Sequence, residues 1–457
     1  MPASVACLTL ALLVFPQGGP AASTTLRVAY SQFTLPNGLR VILHEDHSVP
    51  LVTVNVWYHV GSAREKPGRT GFAHLFEHLM FEGSAHVEEG AFDTLLEGAG
   101  GTNNGSTNND RTNYYIDVPA NALELALFLE SDRMGYLLDS MTPARVEGQR
   151  DVVKNERRQA YENAPYGMAQ IEIDRLLYPE GHPYRWPTIG YMEDLTAASH
   201  EDVVEFFKTY YAPGNASLVV AGDIDPVKTR ALVEQWFSDV ARGTRPVPPI
   251  DHPPVSITDV RRKTLHDRVQ LPRLYLSWPT PAHLNPGDAE LDVVAEVLAG
   301  GKNARLYKRL VYDMQIAQDV TAYQASGTLG SQFQIVVTAR PVGADTVPAA
   351  VLERIRAIVD EELVKLGREE PEDRELERAV NQIESGFLNR MERVGGFGGV
   401  GDQLNAYFFA TGNPDYFNED LSRYRALSTA DVRAAAAVWL PTGRRVEVTV
   451  EPLAARP

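Results

Sequence analysis

Cysteine is almost absent from this chain of 457 residues, since Cys7 is the single example. If the first 23 residues are removed, no thiol remains, which excludes disulfide bonds and thiolate metal ligands from the rest of the chain. A transition metal there would have to be held by histidine and carboxylate groups. Cys7 lies at the start of an apolar run rather than after it, which argues against a lipid-anchored cysteine.

Long hydrophobic runs are also missing. The apolar run from Val5 to Phe15 is too short to span a bilayer as a helix, and we expect no membrane span elsewhere. Small residues follow it near Ala21 to Ser23, a pattern typical of a signal peptide, although no Lys or Arg precedes the run. Residues 1–23 are therefore predicted to be a signal peptide, and the protein is expected to be exported to the periplasm or secreted.

Positive charge is scarce relative to negative charge. The 43 Lys and Arg residues are outnumbered by 60 Asp and Glu residues, giving a formal net charge of -17. Phosphate binding requires clustered Lys and Arg, so the balance argues against a nucleic-acid partner. It is compatible with a cationic peptide substrate, and equally with solubility alone.

The length of the chain predicts two domains, because it exceeds what one hydrophobic core usually organises. Residues 242–263 contain five prolines and are predicted to be a stiff, extended linker between domains at 26–241 and 264–457. Each predicted domain ends with an Asp-Val pair, an amphipathic helix, a proline and an apolar strand. These pairs, Asp202-Val203 and Asp431-Val432, suggest an internal duplication.

Strand and helix patterns are mixed along the chain without a regular βαβ rhythm, which favours an α+β fold. Pro36-Asn37-Gly38 between two apolar runs predicts a hairpin, and Leu51 to Val60 alternates as a strand does. The glycines from Gly395 to Gly401 lack the context of a nucleotide-binding loop and predict a flexible loop or a helix interruption.

The segment from Gly71 to Phe81 is the most informative, because a helix there would separate two kinds of side chain. Its apolar residues form one stripe, while His74, Glu77 and His78 at i, i+3 and i+4 share another face. Two imidazoles one turn apart can bind one zinc ion, and the glutamate between them can take a proton from the attacking water. Two histidines beside a core helix are the alternative, but burying such a face unpaired is costly. Thr70 is expected to cap the helix.

This His-x-x-Glu-His pattern is the inverted form of the metallopeptidase helix, and here the chain resembles the pitrilysin/insulinase family of metallopeptidases. Further segments along most of the chain are similar to family segments, among them "FTLPNGLRVILHEDHSVP", "GGTNNGSTNNDRTNYY" and "YYAPGNASLVVAGD". The resemblance implies a third metal ligand some 75 to 80 residues after the motif. Glu156 fits that position, and Glu147 and Glu162 are rival acids on the same predicted helix.

The resemblance implies further site residues by position. Asn104 falls where the family has an asparagine near the bound peptide, and Gln149 stands where many members have a second glutamate supporting the metal site. Arg268 and Tyr275 have the seven-residue spacing of an Arg and Tyr that bind the substrate carbonyl. Both are predicted to lie on the first strand of the second domain, with a solvated Arg and a sheet-packing Tyr as the alternative.

Taken together, the resemblance implies a zinc-dependent endopeptidase with one Zn²⁺ per chain, held by His74, His78 and Glu156, and with Glu77 as general base. It implies two homologous domains, each a mainly antiparallel sheet with helices packed on one side, which together form half of a clamshell. A homodimer, or pairing with a related inactive chain, would complete the clamshell around a peptide substrate. The alternative is a non-catalytic or peptide-binding partner subunit of a two-chain peptidase.

Overall fold

The computed structural model describes residues 25–243, 245–340 and 348–453. The predicted signal segment, residues 1–23, lies outside the described residues. Within the described part of the chain, no helix has both the length and the apolar character needed to cross a membrane.

The first domain is built on a six-stranded sheet in the order β1-β2-β6-β3-β5-β4. Its strands are β1 (Ser31–Thr34), β2 (Arg40–Glu45), β3 (Leu51–Tyr58), β4 (Thr102–Thr107), β5 (Thr112–Pro119) and β6 (Ala216–Gly222). β2 and β6 run parallel, and the other neighbouring pairs are antiparallel. The predicted hairpin joins β1 to β2, and Gly38 supplies the positive φ of 93° that its turn requires.

The second domain repeats this topology with a five-stranded sheet in the order β7-β11-β8-β10-β9. Its strands are β7 (Val260–Asp267), β8 (Arg273–Thr280), β9 (Ala317–Ala325), β10 (Ser331–Ala339) and β11 (Arg445–Pro452). β7 and β11 run parallel, as β2 and β6 do, and the other neighbouring pairs are antiparallel. The order matches β2-β6-β3-β5-β4 strand for strand, so the predicted fold class of two homologous α+β domains is confirmed.

Helices fill the segments between the strands. In the described first half they are α1 (Phe72–Leu79), α2 (Ala91–Gly98), α3 (Leu123–Ser140), α4 (Pro143–Arg157), α5 (Ala169–Leu177), α6 (Met192–Ala197), α7 (His200–Tyr210) and α8 (Pro226–Phe237). In the described second half they are α9 (Asp288–Ala299), α10 (Pro348–Arg368), α11 (Asp373–Met391), α12 (Val400–Thr411), α13 (Phe417–Arg425) and α14 (Thr429–Trp439).

The repeated tail of each domain has the same local structure in both copies. Helices α7 and α14 each begin with a capping box, in which Ser199 pairs with Asp202 and Ser428 pairs with Asp431. Each helix then leads into the strand that lies parallel to the first long strand of its sheet. The sequence repeat therefore marks equivalent pieces of two copies of one fold.

Each sheet is covered on one face by helices of its own domain and on the other by a helix of the other domain. Along β3, Val52, Val54 and Val56 pack into the core under the first domain's helices. The opposite face of this sheet packs against α12, where Leu404 joins Val219 in a separate apolar cluster. Reciprocally, α5 packs on the second sheet, so the two domains exchange one covering helix each.

The proline-rich segment predicted as a linker does connect the two sheets, but its boundary differs from the prediction. Strand β7 begins at Val260, inside the predicted range 242–263. Ile257 is buried, and Ile250 and Val255 pack against the cluster that contains α5. This segment is therefore held against the domains along part of its length, because its apolar side chains find partners there.

Candidate metal centre

Helix α1 presents His74, Glu77 and His78 on the face predicted from the sequence. Its apolar residues Phe72, Leu75, Phe76 and Leu79 are fully or almost fully buried in the first domain's core. That burial fixes the rotation of the helix about its axis. The three polar side chains are each partly exposed and lie on the remaining face.

The N-terminus of α1 is capped differently from the prediction. Gly71 takes the N-cap position with a φ of 88°, and the carboxylate of Glu65 accepts hydrogen bonds from the amides of Gly71 (2.9 Å) and Ala73 (2.8 Å). The expectation that Thr70 caps the helix is wrong, because its hydroxyl donates instead to Asp194 (2.6 Å). A carboxylate at this position also interacts favourably with the helix dipole.

Helix α4 brings Glu156 to the two histidines. Its carboxylate oxygens lie 3.2 Å from His78 Nε2 and 3.7 Å from His74 Nε2, and the two imidazole ring centroids are 4.8 Å apart. One ligand atom from each residue can be chosen so that all three lie within 4.8 Å of one another. Among the described residues, this is the one group of three or more His, Cys, Asp or Glu with such an arrangement.

The rival acids, Glu147 on α4 and Glu162 in the turn that follows it, are engaged elsewhere. Glu147 forms an ion pair with Arg150 (3.5 Å) and is largely exposed, while Glu162 accepts a hydrogen bond from Arg157 (2.5 Å). Helix geometry explains the choice, since only one of these carboxylates faces α1 at the height of the histidines. The geometry thus singles out Glu156 among the three candidates.

The ionisation of the cluster suits a divalent transition metal. Burial lowers the pKa of His74 to about 4, so its imidazole is neutral at neutral pH. A hydrogen bond from His78 lowers the pKa of Glu156, which is therefore ionised. His74 Nδ1 is buried and has no hydrogen-bond partner among the described residues, so this ring is not held as a satisfied core histidine. Two imidazoles and one carboxylate form a donor set typical of catalytic zinc.

Glu77 lies beside the cluster and is held by a residue that the sequence reading did not single out. The hydroxyl of Thr107, at the end of β4, donates to Glu77 Oε2 (2.6 Å). Burial raises the pKa of Glu77, and the hydrogen bond from Thr107 opposes that shift. Thr107 belongs to a segment quoted for its resemblance to the family, but no local pattern indicated that its hydroxyl contacts the helix.

Asn104 lies on β4, which is the edge strand of its sheet and pairs with β5 alone. Its side chain is exposed, and its Oδ1 accepts a hydrogen bond from the Gly105 amide (2.8 Å). Among the described residues no second strand pairs with β4, so its outer edge is without a strand partner there. Such an edge can pair with an extended peptide.

Gln149 does not contact the three candidate ligands. Its amide donates to Glu82 Oε1 (2.5 Å), three residues beyond the end of α1. The expected support of a metal ligand by Gln149 is therefore not seen. An amide can donate to a carboxylate where a second glutamate would be repelled, which accounts for the partner it takes.

Arg268 and Tyr275 do not share a strand, so their placement on the first strand of the second domain is wrong. Arg268 follows the end of β7 and is exposed, with its guanidinium 3.4 Å from Asn163 Oδ1. Tyr275 lies on β8 and is buried in the cluster around α5. The turn between them contains Pro272, which cannot donate to a sheet ladder. Their part in binding substrate stays a prediction.

Comparisons with known proteins agree with this geometry. The family described as "Insulinase (Peptidase family M16)" matches residues 40–175, and the one described as "Peptidase M16 inactive domain" matches residues 197–383. The chain is 29% identical over 372 residues to the zinc protease PqqE of Helicobacter pylori, covering 79% of this chain and 80% of that protein. It is 24% identical over 387 residues to a probable mitochondrial-processing peptidase subunit beta of Arabidopsis thaliana, covering 82% and 70%.

The solved structures include a close match in fold. The crystal structure of a protease from Helicobacter pylori superposes with a TM-score of 0.84 at 25% sequence identity, covering 93% of this chain and all of that one. The match extends over both domains. The first matching family description covers α1, β4 and α4, the elements that contribute the cluster and Glu77.

Proposed function

The chain belongs to the insulinase family, peptidase family M16, and from that premise we propose that it is a zinc-dependent endopeptidase acting on peptides or unfolded polypeptide segments. The observation that supports this most directly is the convergence of His74, His78 and Glu156 beside Glu77. The first three residues would hold the zinc ion. When bound, zinc supplies a Lewis acid that makes water more acidic and polarises a carbonyl group.

The chain's own residues then account for the proton transfers. Glu77 removes a proton from the attacking water as the water oxygen bonds to the scissile carbonyl carbon. When the C–N bond breaks, the protonated Glu77 returns that proton to the leaving amine. Asn104 and the outer edge of β4 would bind the substrate backbone in an extended conformation.

The test compares peptide cleavage by the wild type and by Glu77→Gln, read by mass spectrometry, with zinc content recorded for both. We expect cleavage by the wild type alone, with zinc in both proteins.

Zinc binding is tested separately with two substitutions on one helix. Glu156→Gln should lose zinc, whereas Glu147→Gln should retain it, because Glu147 pairs with Arg150. Equal zinc content in both variants would contradict the assigned donor set.

The second candidate is a non-catalytic or peptide-binding partner subunit. It is favoured by the match of residues 197–383 to a family described as an inactive domain. The complete set of His74, Glu77, His78 and Glu156 in the first domain favours catalysis instead. Peptide binding that survives removal of the metal, with no cleavage by the metal-loaded wild type, would support this second candidate.

We propose that the active assembly contains two such chains, as a homodimer or as a pair with a related inactive chain. This rests on the family resemblance, in which two halves enclose the substrate. Analytical ultracentrifugation of the active protein should give a two-chain mass, and an active monomer would contradict the proposal.

Export is likewise proposed from the pattern in residues 1–23. N-terminal sequencing of protein recovered from cell fractions would test it.

A further inference from the structure

Thr107 and Glu77 are 30 residues apart in the chain and are in direct contact in the fold. Thr107 Oγ1 lies 2.6 Å from Glu77 Oε2 and 3.4 Å from Thr112 Oγ1. We infer that Thr107 positions the general base, by holding one carboxylate oxygen of Glu77 so that the other is directed at the attacking water. This inference rests on the proposed function, in which Glu77 is the base.

The hydrogen-bond pattern fixes the direction of donation. Thr112 is fully buried and its hydroxyl donates to the Val60 carbonyl (2.9 Å), so its oxygen is left to accept. The Tyr211 hydroxyl lies 3.5 Å from that oxygen. Thr107 has one hydroxyl proton, and the carboxylate is both the closer and the charged acceptor. Thr107 therefore donates to Glu77 Oε2, and no hydrogen bond from a described residue reaches Oε1, which is available to take a proton.

The same strand packs against the rest of the Glu77 side chain. A Cβ on Gly105 would lie 3.1 Å from Glu77 Cγ and 3.1 Å from Tyr114 Cδ1, so the glycine backbone approaches Glu77 closely. Gly105 and Thr107 are two residues apart on β4 and point to the same face. Strand β4 thus fixes Glu77 through its own backbone packing and through one hydroxyl, and no second strand in the described part of the chain pairs with its other edge.

The test substitutes Thr107 by valine, which has the same shape but no hydroxyl, and by serine, which keeps the hydroxyl. In Thr107→Val we expect kcat for peptide cleavage to fall by about tenfold to a hundredfold, with KM changed less than about twofold. Thr107→Ser should recover most of kcat. Zinc content and melting temperature should match the wild type, because valine suits a strand and Thr107 is not a proposed ligand.

A second measurement does not depend on turnover. Crystal structures of metal-free wild type and Thr107→Val should show one conformer of Glu77 in the first and displaced or multiple conformers in the second. If the valine variant does not fold, Thr107→Ala provides the same loss of the hydroxyl. This measurement decides the positioning role even if the protein proves to lack peptidase activity, which would contradict the proposed function alone.

Several outcomes would overturn the inference. One is an unchanged kcat in Thr107→Val, or an unchanged Glu77 conformer in its crystal structure. Another is an equal loss of kcat in Thr107→Val and Thr107→Ser, since that result would trace the effect to the shape of the side chain rather than to the hydroxyl. A rise in KM without a fall in kcat would also contradict it, because it would place Thr107 in substrate binding.

Discussion

Asp174 is a buried carboxyl group that the proposed chemistry does not use. It lies on α5, in the lining of a cavity of about 280 Å³ between the two domains. Burial raises its pKa to about 8, and a hydrogen bond from the Gln170 amide (2.8 Å) opposes the shift. The group is therefore protonated in the folded protein at pH values where it is ionised in the unfolded chain.

This shift predicts a stability that declines with rising pH. Between about pH 4 and pH 8 the unfolded chain releases a proton that the folded protein keeps, so each pH unit removes at most about 1.4 kcal/mol of folding free energy. In Asp174→Asn that loss is absent. The stability of the variant relative to wild type should therefore rise from pH 5 to pH 8 in urea unfolding.

The matched control is Asp239→Asn, at an exposed position after α8. Its stability relative to wild type should stay constant over the same range. A constant difference between Asp174→Asn and wild type would contradict the assignment, because it would mean that Asp174 is ionised equally in the folded and unfolded states.

The residues of the candidate centre differ in how far the sequence could predict them. The shared face of His74, Glu77 and His78 follows from helical spacing, which is local. Glu156 required the family resemblance, since three acids on one predicted helix were open by spacing alone. The roles of Thr107 and Glu65 could not be predicted from the sequence. Their contacts join a helix to a separate strand or loop, and no periodic pattern in the sequence indicates such contacts.

At the scale of elements, a buried carboxylate is one of the contacts that hold α12 against the first sheet. Asp402 Oδ1 accepts hydrogen bonds from the side chains of Trp57 (2.8 Å), Asn113 (2.9 Å) and Asn55 (3.3 Å). Its Oδ2 accepts from the Gly398 amide (2.8 Å). Asp402 therefore joins the glycine-rich loop, α12 and two strands of the other domain.

Replacing Asp402 by alanine should lower the free energy of unfolding by about 3 kcal/mol or more, because several buried donors lose their acceptor. Asp402→Asn keeps one carbonyl oxygen and should cost less. Both values are measured by urea unfolding against Asp251→Ala, an exposed position in the connecting segment. Equal stability of Asp402→Ala and Asp251→Ala would show that the carboxylate does not stabilise the contact.

The sequence predicted most elements but not what they dock against. Its strands at 51–60 and 216–221 correspond to β3 and β6, because alternating and apolar runs are local signals. The helix predicted to carry Glu147, Glu156 and Glu162 is α4, which ends at Arg157 and continues as a π-helical turn over Arg158–Glu162. The glycine-rich segment was expected to be a flexible loop or a helix interruption, and it does separate α11, which ends at Met391, from α12, which begins at Val400. Its docking was not expected: the Phe397 ring packs on Tyr115 with centroids 4.9 Å apart. Contacts between residues so far apart in the chain produce no periodic pattern in the sequence from which they could be predicted.

At the scale of the whole molecule, the exchange of covering helices joins two cores that would otherwise unfold separately. Helix α12 covers the first sheet with Leu404, which is fully buried, and α5 covers the second with Ile173. Removing either helix would expose an apolar face of the other domain's sheet. The domains are therefore expected to unfold together.

We expect a single transition in scanning calorimetry of the intact chain, and Leu404→Ala should shift the whole transition to lower temperature. A buried leucine replaced by alanine costs about 2 to 5 kcal/mol. Leu388→Ala, on α11 and 39% exposed, is the matched control and should change the transition little. Two transitions, with only one of them shifted by Leu404→Ala, would contradict this cooperative unfolding.

The exchange also bears on how a duplicated protein can diverge. Each of the two homologous domains supplies a helix that covers the sheet of the other. Deleting either domain would therefore expose one face of the remaining sheet. This covering of the sheets depends on α5 and α12, and not on the polar face of α1 or on α4. One domain could therefore lose its catalytic residues and still be retained, because the other domain needs its covering helix. This chain fits that expectation, because its first domain has the His-x-x-Glu-His motif and its second domain lacks it.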